Sequence, residues 1–217
     1  MKVVDDKNKK LHWNNRNFFW VVSIIYCVLL ILLFLPTAKD PVGIYTQRIA
    51  AISDSNFGVF GYMKEWVINF IGLYSHTSWS HVLHNCLGFL LGAIYLERKY
   101  GSFNFFLILV GLNCLCSLGG GGIGNSYIWF ALWGFCLVDF LWSLKKEEKN
   151  RTNIIFGSIT LVLEYIRSGF YDKPSGGIGW GVVPYQLIYN ISHCKGFVFG
   201  MLLCVIIRMF KFYIKNK

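Results

Sequence analysis

Uncharged apolar runs separated by short charged turns dominate the chain. The first, residues 18–36, is nineteen residues long, enough at ~1.5 Å per residue to cross a hydrocarbon core about 30 Å thick. Further runs follow at residues 81–96, 103–118, 127–144, 154–166 and 191–207; the fifth is short, and the second and sixth contain polar residues. This pattern predicts six spanning helices with both chain ends on one side of a membrane. The first run is too long for a signal-peptide core, and no small-residue cleavage site follows it. Between the first two runs, residues 37–80 form a long insertion. Its stretch 57–74 is amphipathic and interrupted by Lys64-Glu65, a pattern of one or two helices lying in the interface. Residues 39–56 read equally well as an exposed loop.

Composition sharpens the class. Hydrophobic residues make up 55% of the 217 and charged ones 15%, whereas a soluble domain carries about 25% charged. With 19 Phe, 12 Tyr and 8 Trp the chain is neither disordered nor an ordinary soluble enzyme. The net charge of +10 raises the question of nucleic acid, and its distribution answers it. Fifteen of the 21 Lys and Arg lie in the tail 1–17, at Arg98 and Lys99, in the loop 145–151, and from Arg208 to the C-terminal tail 211–217. All four places fall on one face of a six-span chain. The positive-inside rule puts that face, and both termini, in the cytoplasm. The expected location is a plasma membrane, the expected partners are the lipid bilayer and membrane proteins, and nucleic acid is not among them. The seven cysteines sit in or beside apolar runs with no CxxC, so they read as small buried hydrophobes. No metal or cofactor is expected, because the histidines lack a third convergent ligand with defined spacing.

Polar residues inside spans are costly and mark functional positions by default. The second run opens His76-Thr-Ser-Trp-Ser-His81-Val-Leu-His84-Asn85, the fourth follows Gly119-Gly-Gly-Gly-Ile-Gly124-Asn125-Ser126, and the sixth opens Ser192-His193-Cys194-Lys195-Gly196. These three runs all pass from outside to inside. His81 lies seventeen residues before Arg98, Ser126 nineteen before Lys145, and His193 fifteen before Arg208. At ~1.5 Å per residue they stand about 25, 28 and 23 Å above the inner boundary. A serine and two histidines therefore share one level, the ingredients of a nucleophile, a base and an oxyanion donor. Asp139 lies thirteen residues along from Ser126, about 20 Å away on the same helix, and cannot serve as a third triad member. Glu164 reads as an i, i+3 partner for Arg167, and Lys195 points away from the position of a base.

These motifs, in this order, resemble those of the rhomboid intramembrane serine proteases over residues 74–207. HxxxN reads His81-Val-Leu-His84-Asn85, with His76 upstream and Leu96-Glu97 and Tyr100-Gly101 closing the span. GxSx reads Gly124-Asn125-Ser126-Tyr127, with Phe130 four residues past the serine, and HxxGxxxG reads His193-Cys-Lys-Gly196-Phe-Val-Phe-Gly200. The resemblance implies an all-α, polytopic six-helix membrane domain over residues 18–210, with residues 37–80 as its long outer first loop. It implies a serine endopeptidase with Ser126 as nucleophile and His193 as base. His81, Asn85 and the Ser126 backbone N–H would stabilise the oxyanion, with Gly124, Phe130, Gly196 and Gly200 in support. It further implies transmembrane protein substrates, cut near the outer face. Residues 168–189, rich in glycine, would form a cap. Tyr127 departs from the family, where glycine often follows the serine, and is expected to face a neighbouring span or the substrate entrance. The other reading of the same motifs is a catalytically impaired rhomboid-like protein that binds membrane-protein clients.

Overall fold

A computed structural model of the chain describes residues 20–54, 61–118, 124–145, 151–172, 178–181, 183–184, 187–188 and 190–215. The tail 1–17, the glycine run 119–122, most of the basic loop 145–151 and the last two residues of 211–217 lie outside them. In chain order the helices are α1 (Val21–Phe34), α2 (Pro41–Asp54), α3 (Gly61–Tyr74), α4 (Trp79–Tyr100), α5 (Ser102–Leu118), α6 (Ser126–Lys145), α7 (Arg151–Ser168) and α8 (Ile191–Lys215). A 3-10 turn, Leu35–Thr37, links α1 to α2. The fold is helical as expected, with one addition: within the stretch 168–189, expected to form a cap, β1 (Phe170–Asp172) and β2 (Ile178–Trp180) pair antiparallel, Phe170 opposite Trp180. Trp180 Nε1 donates to the Ile166 carbonyl at 2.9 Å and Gly181 N–H to the Gly169 carbonyl at 3.0 Å, so the hairpin is tied to the end of α7.

α6 is the hub. Ile128, Trp129, Phe130, Ala131, Leu132, Phe135 and Cys136 have no exposed surface, as a helix apolar all round requires. Its closest neighbour is α8, and small residues set that distance. A Cβ on Gly200 would run into the Ala131 carbonyl, one on Gly134 into the Phe197 carbonyl, and one on Gly196 into the Tyr127 ring. By contrast, α1, α5, α7 and α8 present apolar side chains outward, such as Ile25 (52% exposed), Phe106 (49%), Val162 (57%) and Ile206 (60%).

By length and composition α6 (Ser126–Leu144) and α8 (Ile191–Lys211) can each cross a membrane. α1 with its 3-10 turn qualifies only when joined to Pro41–Ala50, across a bend of 89°. α5 is apolar but shorter, while α4 and α7 carry polar residues along their length, including His84, Asn85, Glu97, Glu164 and Arg167. The 89° turn has a local cause. Asp40 Oδ1 accepts the Gly43 N–H at 3.0 Å, an N-cap with Pro41 at the first helical position, which starts a new helix in a new direction. Residues 41–54 are thus helical rather than loop.

Two buried carboxylates tie the bundle together. Glu97, fully buried, accepts the N–H groups of Val22 and Ser23 at 3.0 Å each, the Ser23 hydroxyl at 2.5 Å and the Ser102 hydroxyl at 2.7 Å. It caps the positive end of α1 from the far end of α4. Asp139, also fully buried, accepts from Lys99 Nζ at 2.8 Å, from Tyr95 at 3.0 Å, and from Tyr100 and Arg208. That one carboxylate joins α4, α6 and α8.

Candidate active site

Three helices begin at the same place, and each brings one chemical group in its first turn. α4 is capped by Ser78, whose hydroxyl accepts the His81 N–H at 3.1 Å. α8 is capped by Asn190, whose Oδ1 accepts the N–H groups of Ser192 at 3.0 Å and His193 at 3.3 Å. α6 starts at Ser126 itself. First-turn N–H groups have no acceptor within their own helix, so the two caps fix both histidines. The common depth expected from residue counting is in the structure a cluster of helix N-termini, which also concentrates positive potential there.

His193 Nε2 lies 2.8 Å from Ser126 Oγ. The imidazole is buried and stacks on Phe130 with ring centres 4.3 Å apart and planes 18° apart. The stack sets the ring plane; the Asn190 cap sets the backbone. Gly196 and Gly200, one and two turns further, let α8 come close enough for the contact to form.

The residues expected to stabilise an oxyanion gather around Gly124. Its φ of 115° is in the left-handed region that favours glycine. A Cβ there would sit 2.6 Å from His81 Nε2 and 3.2 Å from Asn85 Nδ2, so both groups press against this backbone two residues before Ser126. The Asn85 amide nitrogen is buried and makes no hydrogen bond, an uncommon state for a buried donor. His81 is oriented by Thr77, whose hydroxyl is 3.0 Å from Nδ1, leaving Nε2 toward Gly124. His76 lies outside the helix, 5.2 Å from His81 between ring centres. Burial, and then the charge of His81, pull the His76 imidazole down to about 4, so it is neutral near pH 7.

Several positioning contacts were not evident from the sequence. Gly124 N–H donates to the Gly72 carbonyl at 2.9 Å, and Asn125 Nδ2 to the Tyr26 hydroxyl at 2.7 Å. The serine loop is thereby hung from α3 of the insertion and from α1. Asn190 and Asp40 each carried a readable capping signal; the Gly72 contact carried none, because it joins backbones far apart in the chain. Glu164 and Arg167 attract each other, as expected, and both also meet Trp129. Glu164 accepts from the indole N–H, and the Arg167 guanidinium lies 4.0 Å over the ring while donating to the His84 carbonyl. Among the described residues, no His, Cys, Asp or Glu cluster has the makings of a metal site. No family model, curated protein or solved structure matches the chain.

Proposed function

We propose that the protein is an intramembrane serine endopeptidase of the rhomboid type, built on six spans, α1 and α4 to α8, with α2 and α3 lying at the outer face. The observation that carries the reading is the 2.8 Å contact between Ser126 Oγ and His193 Nε2 at the start of two apolar helices. Support comes from the unpartnered Asn85 amide beside Gly124 and from the apolar faces turned outward on α1, α5, α7 and α8. On a soluble protein such faces would be an aggregation hazard.

The chemistry follows from the geometry. His193 takes the Ser126 proton as Oγ adds to a peptide carbonyl, then returns it to the departing amine. Water cleaves the resulting ester by the same relay. Asn85 Nδ2, His81 Nε2 and the Ser126 N–H supply donors to the oxyanion, and losing one such donor costs about 3 kcal/mol of barrier. The substrate is the transmembrane segment of another protein, because the Ser126–His193 pair lies at one end of membrane-length helices.

Purified protein should cleave a generic transmembrane reporter and be labelled by a fluorophosphonate. Ser126→Ala and His193→Ala should each abolish both reactions while keeping the wild-type thermal midpoint, and the double variant should be no worse than either. Residual cleavage in Ser126→Ala, or wild type inert to the fluorophosphonate, overturns the proposal and leaves the client-binding reading.

A further inference from the structure

A half-open cleft of about 210 Å³ lies where the end of α1, the first turns of α2 and the end of α3 meet. A cleft of that size takes a small headgroup rather than a whole lipid. Among the described residues lining it, Arg48 is the one charged side chain and none is acidic. His76 closes the inner wall. It is 2% exposed; the Tyr74 backbone meets at most one ring nitrogen, and the other has no hydrogen-bond partner. A buried imidazole with an unused nitrogen is costly unless something in the cleft meets it. Tyr45 and Thr37 add hydroxyls to the lining, and Leu33 and Ile71 supply its apolar side.

The depth of the cleft says what that occupant is. The first apolar run ends at residue 36, and Thr37 lines the cleft. Immediately before it, Leu32, Leu33 and Leu35 are 52%, 50% and 49% exposed. An arginine one step beyond an exposed leucine flank is placed as a phosphate is placed one step beyond acyl chains. We infer that this cleft binds the headgroup of an anionic phospholipid, with Arg48 and His76 on the phosphate and the acyl chains lying along the leucine flank of α1. The inference rests on the membrane reading and not on proteolysis.

Delipidated full-length protein in neutral detergent should be titrated with phosphatidylglycerol and phosphatidylcholine, with bound lipid read by native mass spectrometry. Phosphatidylglycerol should bind at least tenfold more tightly. Arg48→Gln, at an exposed position, should remove that preference, whereas Lys39→Gln outside the cleft should keep it. His76→Leu should weaken phosphatidylglycerol about tenfold. Equal affinity for the two lipids, or equal loss in Lys39→Gln and Arg48→Gln, overturns the assignment. Inorganic phosphate displacing the lipid at comparable concentration would make this a free-anion site and also overturn it. Ser126→Ala should bind like wild type, so a failed protease reading leaves this result standing.

Discussion

The ring of Tyr127, directly after the proposed nucleophile, turns about 100° away from Ser126 and enters the contact between α6 and α8. It is 2% exposed, faces Gly196, and stacks on Phe199 with ring centres 6.3 Å apart. Of the two expectations for this position, the neighbouring helix is the one its contacts bear out. Its hydroxyl is buried without a partner. Removing an unsatisfied buried polar group is neutral or stabilising, while emptying an aromatic site leaves a cavity. Tyr127→Phe should therefore leave the thermal midpoint unchanged or raise it, and Tyr127→Ala should cost ~3–5 kcal/mol by equilibrium unfolding. A loss above ~1 kcal/mol in Tyr127→Phe would mean the hydroxyl has a partner. At this scale the sequence disclosed what one helix can disclose. The i, i+4 pair His81 and Asn85, and the common depth of Ser126 and His193, follow from rise per residue. The approach of Gly124 to the Gly72 carbonyl does not, since it is made by two chain segments whose separation only packing decides.

Apolar runs located every described helix except α2, whose residues read equally well as an exposed loop; the Asp40 cap and the Pro41 start are what mark it. What periodicity could not supply is which helix touches which, and here α6 and α8 matter most. They are fastened at both ends and along the middle. Ser126 meets His193 at one end, Gly134, Gly196 and Gly200 allow backbone contact between, and Asp139 receives Arg208 at the other end. Asp139 was legible only as too distant for a triad, because a carboxylate's partners on other helices leave no trace in its own neighbourhood. Removing one partner of a buried pair strands the other charge, at a cost of ~3–5 kcal/mol, whereas removing both can be far milder. Asp139→Asn should thus destabilise strongly, because Lys99 and Arg208 lose their carboxylate. Adding Arg208→Gln should recover part of the loss, measured as denaturation midpoints in one detergent. A double variant less stable than Asp139→Asn would show that Arg208 is held by something other than this carboxylate.

Among the described residues, many large apolar side chains face outward while several polar and charged ones are buried. α7 shows this best: Ile155, Ile159 and Val162 face out at 57%, 51% and 57% exposure, while Thr160, Glu164, Arg167 and Ser168 are buried. Water as the surrounding solvent would reverse that arrangement, because exposed apolar area costs ~25 cal/mol per Å². On the proposed six-span reading the surround is hydrocarbon and the basic residues stay at one face. That reading would put the cluster of helix N-termini holding Ser126, His81 and His193, with α2 and α3, at the opposite face. This orientation is the premise on which the depth argument stands, since only helices running the same way bring those three residues to one level. Reporter fusions or single-cysteine labelling should place positions 15, 148 and 217 in the cytoplasm and positions 54 and 172 outside. Position 148 decides the matter. It follows α6, so finding it outside would reverse that helix against α4 and α8. Ser126 would then stand at the opposite membrane face from His193, and the contact between them would be incompatible with a spanning bundle.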